Sequence, residues 1–196
     1  MNRLYAVLYP LIWIFMRIFH PWKAEGRENV PEGAVVMCGN HTTLGDPVYV
    51  VCALGWKCQT RIIAKEELMK IPVLGFLLKN AGIIGIKRGK ADVAAIKEAM
   101  RVLRNGEKLL LFPEGTRVKE GENAAAHTGA AMFATRTGTM LLPVYISPKK
   151  KLFRKTRVVF GQPYVPVYEG RKAGPEDYQR IADDLMDRIH HLGGSV

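Results

Sequence analysis

Short apolar runs alternate with helical patterns along the body of this chain, and that alternation is the strongest constraint on its fold. AVVMCG (34–39), TRIIAK (60–65), GIIGIK (82–87), KLLLF (108–112) and TMLLPVYI (139–146) each read as a buried strand, with a further strand over 157–161. Between them DVAAIKEAMRVLRNG sets Val93, Ile96, Met100 and Leu103 on one helical face, with Gly106 as its stop. An Ala-rich stretch over 123–137 ends at Gly138. Near the C-terminus, Tyr178, Ile181, Leu185, Ile189 and Leu192 keep helical spacing behind Pro175. Strand-helix alternation predicts one α/β domain whose mostly parallel central sheet is covered by helices. With 196 residues, 48% of them hydrophobic, the chain can bury a core without staples. Its three cysteines, Cys38, Cys52 and Cys58, imply no disulfide framework and suit a reducing compartment. No CxxC pair suggests a structural metal.

The segment before the first strand is different. Residues 4–19 read LYAVLYPLIWIFMRIF, with Arg17 the only charge. No small-x-small cleavage site follows, as a signal peptide would require. A spanning helix needs about 20 apolar residues, and this run is shorter and carries Pro10. An interfacial helix fits better. Trp13, Phe15, Phe19 and Trp22 suit the headgroup layer, and Arg3, Arg17 and Lys23 could meet anionic lipid. The competing reading buries this helix on the domain's own core. The expected division is therefore an interfacial membrane helix over 1–24 and the main domain over 25–196.

Charge points the same way. Lys and Arg number 29 against 18 Asp and Glu, a net charge of +11, so the chain is drawn to something anionic. The stretch KKKLFRKTR (149–157) holds six basic residues between two strands. It reads either as a solvated loop or as a lipid or carrier contact with Leu152 and Phe153 dipping into the bilayer.

Three segments carry possible chemistry. GNHTTLGDP (39–47) follows the first strand, placing His41 where open α/β sheets bind ligands. On a continuous helix, His41 and Asp46 would point about 140° apart. They meet only if the chain turns, which Gly45 permits, and Asp46-Pro47 then looks like an N-cap and N1 pair. A carboxylate on one imidazole nitrogen leaves the other available as a base. Alone, each residue has a plainer reading: a loop histidine and a helix cap. FPEGTR (112–117) follows the strand KLLLF; Arg117 and the backbone N–H groups around Gly115 would suit a phosphate, or form a simple turn. GIIGIKRGK (82–90) ends a strand with Lys87, Arg88 and Lys90, without the spacing of a P-loop.

Together these segments resemble the glycerolipid acyltransferases, and among them the enzymes that acylate lysophosphatidic acid. The resemblance covers about 34–146. His41-TTLG-Asp46 is similar to the family's H-x4-D block, and Gly85-Ile-Lys-Arg88 to its second block. Phe112-Pro-Glu-Gly-Thr-Arg117 is similar to the third and the most specific, and Leu142-Pro-Val-Tyr145 to the fourth. KEELMKIPVLG (65–75) is also family-like. Val118 stands where a serine is common, and Lys87 where an acidic residue is frequent. The resemblance implies acyl transfer from a thioester, of acyl carrier protein or coenzyme A, to the sn-2 hydroxyl of 1-acylglycerol-3-phosphate, giving phosphatidic acid. It implies His41 as general base and Asp46 as its support. Arg117, Arg88 and Lys87 would bind the acceptor phosphate, and Glu114, Gly115 and Thr116 would shape that pocket. It implies no metal or redox cofactor. The protein would work at the cytoplasmic face of the cell membrane, peripheral or monotopic, on an anionic surface.

Other readings remain. The same chemistry could serve another lysolipid. The chain could be a non-catalytic basic membrane-binding module. A cysteine hydrolase could use Cys38, His41 and Asp46, though Cys38 lies in an apolar strand. A serine hydrolase lacks its GxSxG. Nucleic-acid binding would leave the three motifs without a purpose, and no such partner is expected.

Overall fold

A computed structural model describes residues 3–87, 92–117 and 126–194. Seven strands form one sheet: β1 (Trp22–Glu25), β2 (Val35–Gly39), β3 (Thr60–Lys65), β4 (Ile84–Ile86), β5 (Lys108–Leu111), β6 (Met140–Ile146) and β7 (Thr156–Phe160). Their spatial order is β1-β7-β6-β2-β5-β3-β4, and every pairing is parallel except that of β6 with β7. The helices are α1 (Arg3–Phe19), α2 (Asp46–Leu54), α3 (Leu74–Asn80), α4 (Val93–Arg104), α5 (Gly129–Thr137) and α6 (Pro175–Leu192). The expected α/β domain with a mostly parallel, helix-covered sheet is observed.

Strand periodicity decides what each face buries. In β2, Val36 and Cys38 join the core under α4, α5 and α6, while Val35 and Met37 join the core under α2. All four are fully buried, as a strand covered on both faces requires. Each fully buried Leu or Val of the central strands contributes roughly 1.5–3 kcal/mol through lost apolar exposure. Pro143 sits inside this sheet without breaking it. Its carbonyl accepts from Gly161 N–H, so its missing N–H falls on the β7 side, just past the end of β7 at Phe160. Pairing resumes only at the Leu141–Tyr164 bridge.

Three elements differ from their sequence reading. The strand Trp22–Glu25 escapes a periodicity search because WKAE is short and half exposed; it pairs with β7, so the sheet begins at Trp22. The helix expected over 123–137 runs from Gly129; Ala126 and His127 precede it in non-helical backbone, and 123–125 lie outside the described residues. The edge strand β4 is shorter than 82–87, spanning only Ile84–Ile86.

α1 is buried on the domain's core only in part. A narrow stripe, Tyr9 and Met16, is buried against the domain, and Tyr9 meets the ring of Trp56 edge-on. Trp13 packs edge-on against Trp22, over which Arg17 also lies. Most of the described side chains of the helix stay exposed, including Leu11 at 61%, Phe15 at 53% and Ile18 at 55%. Among the described residues no helix is long and apolar enough to cross a membrane.

Candidate active site

The site assembles at the carboxyl ends of three adjacent parallel strands, β5, β2 and β6. Each strand delivers one loop. Asn40 ties two of these exits together. Its side chain donates to Ile146 O at 2.9 Å and accepts from Ile146 N–H at 2.8 Å, extending the ladder one step past Gly39. Gly39 is small for a reason: a Cβ there would lie 3.2 Å from Ile146 and 3.3 Å from Phe112. The Phe112 ring therefore comes close enough to stack on His41, at 4.4 Å between centroids and 26° between planes.

The turn after β2 brings His41 and Asp46 together. His41 Nδ1 lies 2.9 Å from Asp46 Oδ2, which fixes the ring and turns Nε2 away from the carboxylate. Among the described residues Nε2 has no hydrogen-bond partner. The same Asp46 oxygen accepts from Thr42 N–H and Thr43 N–H, both at 2.7 Å, and Oδ1 accepts from Thr43 Oγ1 at 2.9 Å. Asp46 is thus not the N-cap that the sequence suggested. α2 begins at Asp46 itself, and its side chain reaches backwards into the loop instead of forwards to the helix amides. Nor does Gly45 turn the chain through left-handed backbone; its φ is −79°. The carboxylate itself, by collecting two consecutive amides, holds the turn.

Glu114 acts on the other side. Only 6% exposed, it accepts the His41 backbone N–H at 2.9 Å through Oε2. Burial pushes its carboxyl above the usual glutamate value, against the pull of His41. Gly115 must be glycine: its φ is +63°, and a Cβ would strike the His127 ring. Thr116 and Arg117 continue the loop and are exposed. Among the described residues Arg117 makes no hydrogen bond or ion pair.

The structure also supplies a residue that sequence reasoning assigned elsewhere. Lys150, read as part of a basic surface loop, folds inward from the β6–β7 connection. Its Nζ lies 2.7 Å from Asp46 Oδ1 and 2.7 Å from Thr42 Oγ1, and the side chain is only 8% exposed. Its signal was hidden by its basic neighbours. For Asp46, burial pushes the carboxyl up, but the His41 hydrogen bond, the Lys150 charge and hydrogen bond and the Thr43 amide outweigh it. The carboxyl is held below the ordinary aspartate range.

Not every candidate joins this cluster. Lys87 lies at the end of β4, three strands from β2, or roughly 14 Å at sheet spacing. It is exposed, with Glu66 at 3.9 Å. Arg88 lies outside the described residues. An open cavity of about 390 Å³ beside β4 is lined by Arg61, Lys79 and Glu98, and none of its lining residues belongs to the His41 cluster. Cys38 is fully buried in β2, and burial pushes its thiol far up, the reverse of an activated nucleophile. Among the described residues no three His, Cys, Asp or Glu side chains group as metal ligands.

Known proteins share this architecture. A Borreliella burgdorferi protein named 1-acyl-sn-glycerol-3-phosphate acyltransferase is 34% identical over 173 residues, 84% of this chain and 68% of the relative. A Helicobacter pylori protein of the same name is 28% identical over 179 residues, covering 82% and 72%. The chloroplastic LPAT1 of Arabidopsis thaliana is 29% identical over 147 residues, and the match spans only 40% of that longer protein. The crystal structure of the 1-acyl-sn-glycerophosphate acyltransferase PlsC from Thermotoga maritima superposes with a TM-score of 0.71 at 25% identity, covering 97% of this chain and 82% of that one. The acyltransferase family model matches residues 22–147, from the first strand of the sheet to the exit of β6, and the chain belongs to that family.

Proposed function

We propose that the protein transfers a fatty acyl group from a thioester, of acyl carrier protein or coenzyme A, to the free sn-2 hydroxyl of 1-acylglycerol-3-phosphate. The product is phosphatidic acid. The observation that carries this reading is the 2.9 Å His41–Asp46 pair lying beside the FPEGTR loop at neighbouring strand ends. His41 Nε2 takes the hydroxyl proton as the oxygen attacks the thioester carbon. Asp46 orients the ring and supports the imidazolium. The tetrahedral oxyanion then collapses, the C–S bond breaks, and the thiolate leaves with the proton returned by His41. No acyl-enzyme is needed.

Arg117, with Arg88, binds the acceptor phosphate, and Lys87 at the end of β4 adds positive charge on that side. The exposure of Arg117 leaves it open to an incoming anion. Glu114, Gly115 and Thr116 shape the pocket wall. The enzyme sits at the cytoplasmic face of the cell membrane on anionic lipid, with α1 as its interfacial anchor ahead of the sheet that begins at Trp22. The exposed apolar face of α1 adjoins the β6–β7 hairpin. Phe153 N–H donates to Phe19 O at 2.8 Å, the two rings lie 5.7 Å apart, and Leu152 and Phe153 are 54% and 62% exposed. Apolar rings among basic residues suit a headgroup layer.

The test is a transfer assay on purified protein with lysophosphatidic acid in anionic vesicles, offering each thioester separately. Thiol release matched by phosphatidic acid is expected with at least one donor. Thiol release without lipid product would replace the reading with a thioesterase or another acceptor.

A further inference from the structure

We infer that Lys150 is a positioning residue for the acid–base pair, supplying the counter-charge that Asp46 would otherwise draw from His41. The inference rests on the reading of His41 as base. Asp46 is fully buried, and its carboxylate collects hydrogen bonds from His41 Nδ1, Thr42 N–H, Thr43 N–H, Thr43 Oγ1 and Lys150 Nζ. Only one of these donors carries a fixed positive charge.

A buried carboxylate without a cation is costly and recruits one from whatever titratable group lies nearest. Here the nearest is the imidazole at 2.9 Å. An imidazole already holding a proton on both nitrogens cannot accept another. With Lys150 at 2.7 Å, Asp46 is balanced and asks of His41 only the Nδ1–H hydrogen bond. The charged and titratable groups facing the pair come from each packed loop: Glu114 on the His41 amide, Lys150 on Asp46, and Tyr49 of α2 near Asp46. Lys150 is the only cation among them.

The fold holds this lysine in place. Asn40 locks the exit of β6 to the exit of β2, Ser147 N–H donates to Arg157 O across the hairpin, and Lys150 Nζ is shared with Thr42 Oγ1. A surface lysine serving as a solvated charge has none of these restraints.

Two measurements on the full chain test the assignment: the pH profile of kcat for K150M, and the pH dependence of carbethoxylation of the His41 peptide by diethyl pyrocarbonate, followed by mass spectrometry. In K150M kcat is expected to fall by up to about tenfold near neutral pH, with both KM values little changed. The acid limb of kcat and the modification curve should both move up by about one pH unit, since the imidazolium then becomes the only cation beside Asp46. If K150M fails to melt cooperatively, K150Q, which keeps a donor without the charge, takes its place with the same expectations. An unmoved modification curve, or a loss confined to either KM, overturns the assignment. The modification curve needs no turnover, so a silent wild-type transfer assay would remove the acyl-transfer reading while leaving Lys150 to be judged separately.

Discussion

The loops leaving β2 and β5 lie side by side, yet one is finished and the other is open. In the β2 loop His41 is braced from three directions, with only Nε2 left open: Asp46 on the ring, Glu114 on the backbone amide, Lys150 behind the carboxylate. In the β5 loop, Glu114 faces inward and is buried, whereas Arg117, three residues on, is exposed and among the described residues has no ion pair. The difference matches the two tasks proposed for these loops. A base must be held in one geometry before substrate arrives. An anion-binding guanidinium is completed by the anion itself. Damage to the first loop should therefore appear in kcat and in stability, and damage to the second in KM.

The sharpest test of that division is His41→Ala. It should lower kcat by roughly 10²–10⁴-fold and also lower the thermal midpoint, since the ring is only 13% exposed, stacks on Phe112 and bonds the buried Asp46. Turnover close to wild type would remove His41 from the base role. Arg117→Ala should instead raise the acceptor KM by about 10- to 100-fold, the equivalent of losing a charged hydrogen bond worth roughly 1.5–3 kcal/mol. A fall in kcat with unchanged KM would break the comparison. Glu114→Ala belongs with the finished loop despite its place in the β5 motif. It strands the buried His41 amide at a cost of roughly 1–3 kcal/mol, so both melting temperature and kcat should drop. An effect on acceptor KM alone would return Glu114 to the open loop.

Smaller effects should sharpen the picture. Leu152→Ser with Phe153→Ser should weaken co-sedimentation with anionic vesicles while leaving kcat on a detergent-dispersed acceptor intact; unchanged sedimentation would argue against the hairpin as a lipid contact. Asp46→Asn should show its stability loss only where the carboxylate is charged. The depressed folded value means that its contribution is present above the ordinary aspartate value of 3.8 and is lost as pH falls through the lower folded value. The gap in melting temperature between wild type and Asp46→Asn should thus be wide at neutral pH and close below pH 3.8. A gap independent of pH would mean that the amides, not the charge, are what the mutation removes.

Local patterns made much of this legible. The central strands announce themselves as unbroken apolar runs, and His41 and Asp46 stand close enough in sequence for a turn to join them. What stayed hidden was either short or distant. WKAE has too few residues to show a period. The Glu114 bond to His41 spans 73 positions, and the Lys150 bond to Thr42 spans 108. In KKKLFRKTR, composition dominates any single lysine, so one that turns inward looks like its neighbours. Asp46 was read as a cap because Asp-Pro at a helix start normally is one. Only the positions of the Thr42 and Thr43 amides show that the carboxylate faces the other way.

The placing of β2 has a consequence in time. Its two hydrogen-bonded neighbours come late: Val35 pairs with Lys108 on one side and with Met140 on the other. During synthesis the HTTLGD segment leaves the ribosome long before either strand exists to flank it, and before Glu114 or Lys150 has been added. Such long-range pairing is slow to form and leaves the half-made sheet edge exposed. A nascent chain ending short of residue 108 carries the histidine and aspartate with neither flanking strand and neither Glu114 nor Lys150. The arrangement ties the appearance of the assembled pair to near-completion of the domain, so an interrupted chain would carry the motif without the site.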